Sequence, residues 1–145
     1  MNAERVSETI AKVASSLLRL MESGDQSVVL TWSELGWKAV DRVAVTRNDE
    51  VRYPAFAIDS NLMFDLRDAS SSPSTGAWFK AQVKLFADGR VESNFDYDNP
   101  PDFGVMPILA EDLDAELTNW PRNPENIPAW FREKMAELGV EVPKQ

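Results

Sequence analysis

Apolar residues recur at helical spacing from Val6 through Ile10, Val13, Leu17 and Leu20, with Ala14 and Met21 beside them and Gly24 beyond. Such spacing keeps one face of a 3.6-residue helix apolar, and glycine is a frequent stop, so a helix is predicted over about residues 3–23. Its other face carries Glu8, Lys12, Ser15, Arg19 and Glu22 and reads as solvated. From Ser27 to Ile58 the pattern changes to β-branched and aromatic runs. Residues 28–32, 37–46 and 51–58 read as strands, the last two joined by Arg47-Asn48-Asp49-Glu50 as a hairpin turn. Residues 60–68, with Leu62, Met63 and Leu66, form a short helix capped by Asp59 or Ser60, and the polar run 70–76 is a loop.

Residues 78–98 read as two strands joined across Ala87-Asp88-Gly89. Phe79, Ala81, Val83 and Leu85 share one face of the first strand; Val91, Ser93, Phe95 and Tyr97 share one face of the second. A two-residue turn at Asp88-Gly89 would set the first apolar face against Glu92, Asn94 and Asp96. A three-residue loop with Gly89 left-handed instead pairs Leu85 with Val91, Val83 with Ser93, Ala81 with Phe95 and Phe79 with Tyr97. Its solvent face then holds Lys84 opposite Glu92, Lys80 opposite Asp96, and Trp78, exposed, opposite Asp98.

After Pro100-Pro101, Leu109, Leu113, Leu117 and Trp120 give a helix over about residues 110–119, with Pro121 past its end. A last helix begins at Asn126 or Ile127, with Pro128 in its first turn, Trp130, Phe131, Met135 and Leu138 inward, and Gly139 beyond. Trp37, Trp120 and Trp130 read as core or helix-packing residues. The expectation is an α+β fold: an N-terminal helix, an antiparallel sheet of about five strands, and C-terminal helices packed on it. A chain of 145 residues suits one domain, 1–145.

Composition narrows the function classes. The net charge is −9, with 24 acidic against 15 basic residues. Phosphate-backbone affinity comes from Lys and Arg displacing counterions, so no nucleic-acid partner is expected. An acidic domain suits a cationic protein, whose approach it steers. There is no cysteine and no histidine. Ser-His-Asp and Cys-His catalysis and the usual zinc sets are therefore excluded, and nothing argues for a disulfide framework. Residues 1–5 lack a basic region followed by an apolar stretch, and no window approaches a membrane span. A cytoplasmic location without membrane association is expected.

The acids cluster. From Val91 to Pro121 there is no Lys or Arg, while Glu92, Asp96, Asp98, Asp102, Glu111, Asp112, Asp114 and Glu116 fall within it. Glu92 and Asp96 are assigned to the cross-strand lysines, and Glu111 and Asp112 suit a helix N-terminus. That leaves Asp98, Asp102, Asp114 and Glu116, with Trp78 as an aromatic anchor, as the candidate partner-binding residues. Tyr97 and Phe95 lie beneath as support. The run Asp96-Tyr97-Asp98-Asn99 resembles the start of a calcium loop, but Pro100 and Pro101 occupy positions where ligand and glycine are needed, so no metal or cofactor is expected. Asp98 and Asp102 could instead be the acid and base of a carboxylate-dependent hydrolase. A third reading is a regulatory binding module.

The runs Trp78 to Leu85, Asp88-Gly89-Arg90 and Phe95-Asp96-Tyr97-Asp98, followed by Trp120-Pro121-Arg122 and Ile127-Pro128-Ala129-Trp130, resemble the YezG-like immunity proteins of bacterial polymorphic toxin systems. That group is similar to the immunity factors of tuberculosis-necrotising-type NAD glycohydrolase toxins and of some nuclease toxins. The likeness covers about the C-terminal half. It implies a non-enzymatic cytoplasmic antitoxin that binds the catalytic domain of a cognate toxin, an NAD(P) glycohydrolase or nuclease, and occludes its active site.

Overall fold

The computed structural model describes residues 1–141. Helix α1 (Ala3–Leu18) leads into strands β1 (Ser27–Leu35), β2 (Lys38–Arg47) and β3 (Glu50–Arg52). Helix α2 (Ser60–Ala69) precedes β4 (Lys80–Phe86) and β5 (Val91–Asp96), and α3 (Ala110–Asn119) and α4 (Ala129–Leu138) close the described chain. The five strands form one antiparallel sheet in the order β3-β2-β1-β4-β5. The architecture is α+β, as the sequence pattern leads one to expect. Among the described residues no helix is long and apolar enough to cross a membrane.

Alternation along β1 explains why two cores exist. Val28, Leu30 and Trp32 join Val13 and Leu17 of α1 and Met63 and Leu66 of α2 in one cluster. Leu35, at the opposite parity, joins Leu113 of α3 and Phe131 and Met135 of α4 in another.

Several boundaries move for identifiable reasons. Helix α1 stops at Leu18 rather than near residue 23, and Asp25 gathers the following turn. Its carboxylate accepts from the Glu22 amide at 2.7 Å and pairs with Arg47 at 3.0 Å and Arg52 at 2.7 Å. Strand β3 ends at Arg52, well short of the expected residue 58. Pro54 follows closely; it offers no backbone N–H and restricts Tyr53 before it. Strand β2 starts at Lys38, not Trp37, because Gly36-Trp37 is the two-residue turn that lets Leu35 pair with Lys38. Helix α4 starts at Ala129 with Pro128 in the N-cap position.

The β4–β5 register is the one selected by matching faces: Leu85 pairs with Val91, Val83 with Ser93 and Ala81 with Phe95. Gly89 closes the loop with φ +90°, a left-handed conformation that glycine adopts without a Cβ penalty. The pattern fails at one end. Lys80 is paired with Asp96, yet the Phe79 amide also donates to the Asp96 carbonyl at 2.8 Å. Two residues thus oppose one, a bulge that reverses the side-chain alternation. Trp78, expected on the solvent face, is consequently 0% exposed. Lys84 faces Glu92 and Lys80 faces Asp96, as expected, but without closing into ion pairs among the described residues: Lys84 lies over the Phe86 ring at 4.7 Å, and Glu92 sits 3.9 Å from Arg90. Asp96 accepts from the amides of Asp98 and Asn99 and from the Asn99 side chain, holding its own turn and drawing its pKa below the usual carboxylate range.

Candidate partner-binding site

The five residues singled out by sequence do not form one surface. Trp78 is a core residue, stacked on Phe95 with centroids 6.0 Å apart and donating from Nε1 to Ser70 Oγ at 2.9 Å. Glu116 is 1% exposed and serves an internal ion pair. Neither can meet a docking protein directly. Asp98 is exposed at the rim of a cavity of about 380 Å³ lined also by Thr75, Tyr97, Arg122 and Glu125. Asp102 lines a different cavity, of about 260 Å³, with Thr31, Ser33 and Arg42. Asp114 is exposed on α3. Phe95 and Tyr97 are half-buried supports, and the Tyr97 hydroxyl donates to the Ser70 carbonyl at 2.8 Å.

What joins Trp78 to Glu116 is a residue that the sequence pattern did not single out. Arg67 follows Met63 by one helical turn on the inward face of α2 and is 0% exposed. Its Nε donates to the Trp78 carbonyl at 2.8 Å, and its guanidinium lies 4.4 Å from the centre of the Trp120 ring. Nη2 donates to both Glu116 oxygens at 2.8 Å, while Nη1 reaches Glu34 Oε2 at only 3.3 Å. Glu34 Oε1 accepts from Trp32 Nε1 at 2.9 Å. Burial pushes the carboxyl pKa values of Glu34 and Glu116 up, and the Arg67 charge opposes that shift. Two carboxylates thus share one guanidinium, and Glu34 holds the weaker share. The signal in the sequence was Glu34 itself, the one charged residue of β1.

Above this network lies an exposed aromatic patch. Trp37, expected in the core, is 63% exposed because it occupies the β1–β2 turn rather than a strand position. Its ring is stacked on Phe64 at 5.7 Å with 16° between planes, and tilted against Trp120 at 5.6 Å. Phe64 and Trp120 are themselves 5.8 Å apart, so the three rings form a closed triangle. Gly36 sets the turn: its φ is +61°, and a Cβ there would stand 2.7 Å from the Asp112 carbonyl oxygen. Its amide donates to Glu116 Oε1 at 2.8 Å, which ties the turn to the ion pair below. Lys38, next along, pairs with Asp112 at 2.6 Å and anchors the turn to α3.

Beside Trp37 a cavity of about 340 Å³ is lined by Trp32, Glu34, Trp37, Ala39, Ser60, Asn61 and Phe64. It offers aromatic walls and one carboxylate. A large aromatic side chain held on a rigid base and open to solvent is the usual anatomy of a protein-interface anchor. Among the described residues no group of three or more His, Cys, Asp or Glu side chains could hold a metal ion. Compared with known proteins, the sequence matches no protein-family model and no curated protein.

Proposed function

We propose that this chain is a cytoplasmic immunity protein that binds the catalytic domain of a secreted bacterial toxin and covers its active site, with the Trp37–Phe64 face as its docking surface. The observation that carries the reading is Trp37: a tryptophan 63% exposed yet stacked on Phe64 and held against Trp120 over a buried ion pair. An aromatic side chain pre-positioned in this way loses little conformational entropy on binding. The net charge of −9 favours a cationic partner, and the resemblance of the C-terminal half to YezG-like immunity proteins supplies the toxin context. Asp98, Asp102 and Asp114 then act as peripheral charges that speed encounter rather than as anchors.

The hydrolase reading has less support. Asp98 and Asp102 line different cavities, and the cavity beside Trp37 has Glu34 as its one carboxylate among the lining residues. An acid and base pair flanking one scissile bond needs both groups in one cleft.

The test is co-expression with the catalytic domain encoded by the gene immediately upstream. Wild-type chain should restore growth and form a stable complex with that domain, and W37A should do neither. Growth arrest that wild-type chain leaves unrelieved would count against the reading.

A further inference from the structure

We infer that the cavity beside Trp37 is a receptor for one cationic side chain of the partner, an arginine guanidinium, held between the aromatic walls and the Glu34 carboxylate. The inference rests on the docking face proposed above and names the chemistry of its central contact.

Three features lead to a cation. The lining combines Trp32, Trp37 and Phe64 with a single acid and contains no Lys or Arg. Ring faces attract cations, and tryptophan does so best. The acid, Glu34, is the under-neutralised member of its network, since Arg67 donates to both Glu116 oxygens at 2.8 Å but approaches Glu34 only at 3.3 Å. Glu34 is itself 5% exposed and its Oε1 already accepts from Trp32 Nε1 at 2.9 Å, so the charge that Arg67 leaves uncompensated lies just within the cavity wall that Glu34 helps to form.

The shape favours guanidinium over ammonium. Trp37 and Phe64 cover one face of each other, and the aromatic surface that Trp32, Trp37 and Phe64 leave toward the cavity suits a planar, weakly hydrated guanidinium better than a compact, strongly hydrated ammonium. Burial raises the Glu34 pKa, and an arriving cation would lower it again, so binding and ionisation of Glu34 support each other. Ser60 and Asn61, which also line the cavity, add polar residues for the peptide around the cation.

The probe is N-acetyl-arginine methylamide, titrated into the full chain while the indole N–H signals of Trp32 and Trp37 are followed by NMR, with the lysine and citrulline counterparts as comparisons. Saturable shifts of both indoles are expected with arginine, binding about tenfold weaker or worse with citrulline, which keeps the shape and lacks the charge. Arginine binding should be lost in W37A, and weakened about tenfold in E34Q provided that variant retains the wild-type pattern of core signals. An equal response to citrulline, no saturable shift of either indole, or unchanged arginine binding in W37A would overturn the inference. W37A alone decides the matter if E34Q does not fold. Failure here alongside a toxin complex that W37A abolishes removes only the cation pocket; failure of the complex itself removes the docking face.

Discussion

Arg67 Nη2 donates to both carboxylate oxygens of Glu116 at 2.8 Å, across a separation of 49 residues and with both side chains shut off from solvent. This pair fastens α2 to α3 beside the β1–β2 turn, where Glu116 also accepts from the Gly36 amide, and Trp37 stands on what it fastens. Replacing Arg67 by Met removes the one cation shared by two buried carboxylates. Breaking a buried pair from one side costs about 3–5 kcal/mol, because the remaining charge loses its partner. Urea unfolding of R67M should show a loss of that order, and the double replacement R67M/E116M should recover part of it.

The same network gives a pH signature. Glu34 has a folded-state pKa raised above its ordinary 4.5, chiefly by burial. Its contribution to stability is therefore fully present below about 4.5 and is lost as pH rises through the raised folded value. The stability of wild type relative to E34Q should decline as pH rises above that point. Asp25 behaves in the opposite sense. Hydrogen bonds from Arg52 lead the effects that hold its carboxyl below the ordinary 3.8, so its contribution is present above 3.8 and disappears on acidification. D25N should be less stable than wild type at neutral pH and converge on it in acid. Chemical unfolding at a series of pH values checks both signs.

Gly36 couples the network to the surface. Its left-handed φ of +61° and the 2.7 Å approach of a would-be Cβ to the Asp112 carbonyl oxygen leave no room for alanine without a shift of α3. G36A should cost about 1–3 kcal/mol, the range for strained backbone positions. It should also weaken partner binding by displacing Trp37, although residue 36 presents no side chain to a partner. Unfolding and binding measured on the same variant separate it from substitutions that do only one of these.

The peripheral acids should act on rates. D98N, D102N and D114N each remove an exposed charge outside the aromatic patch. Each should slow association and reduce its salt dependence while leaving dissociation nearly unchanged. Stopped-flow association at two ionic strengths distinguishes this from loss of an anchor.

The legible part of the fold was the part governed by periodicity. Ala110 and Asn119 bound α3 where the spacing of Leu113, Leu117 and Trp120 put them, and the loop ending in Gly89 followed from requiring Leu85 and Val91 to share a face. The site was less legible, because its geometry depends on events that periodicity does not encode. One bulge at Phe79 buries Trp78; one glycine turn at residue 36 moves Trp37 from core to surface. Glu116 reads as a surface acid on a helix until Arg67, from an element far away in sequence, is brought against it. Arg67 on the apolar stripe of α2 and Glu34 as the one charged residue of β1 were the two clues that a buried ion pair existed.

The central claim is that Trp37 anchors a protein partner, and calorimetric titration of the catalytic domain of the proposed toxin into wild-type chain and W37A tests it most directly. Loss of an interface anchor costs about 2 kcal/mol or more, so W37A should bind at least about thirtyfold more weakly while unfolding at nearly the wild-type denaturant concentration. Wild-type affinity in a folded W37A would contradict the account.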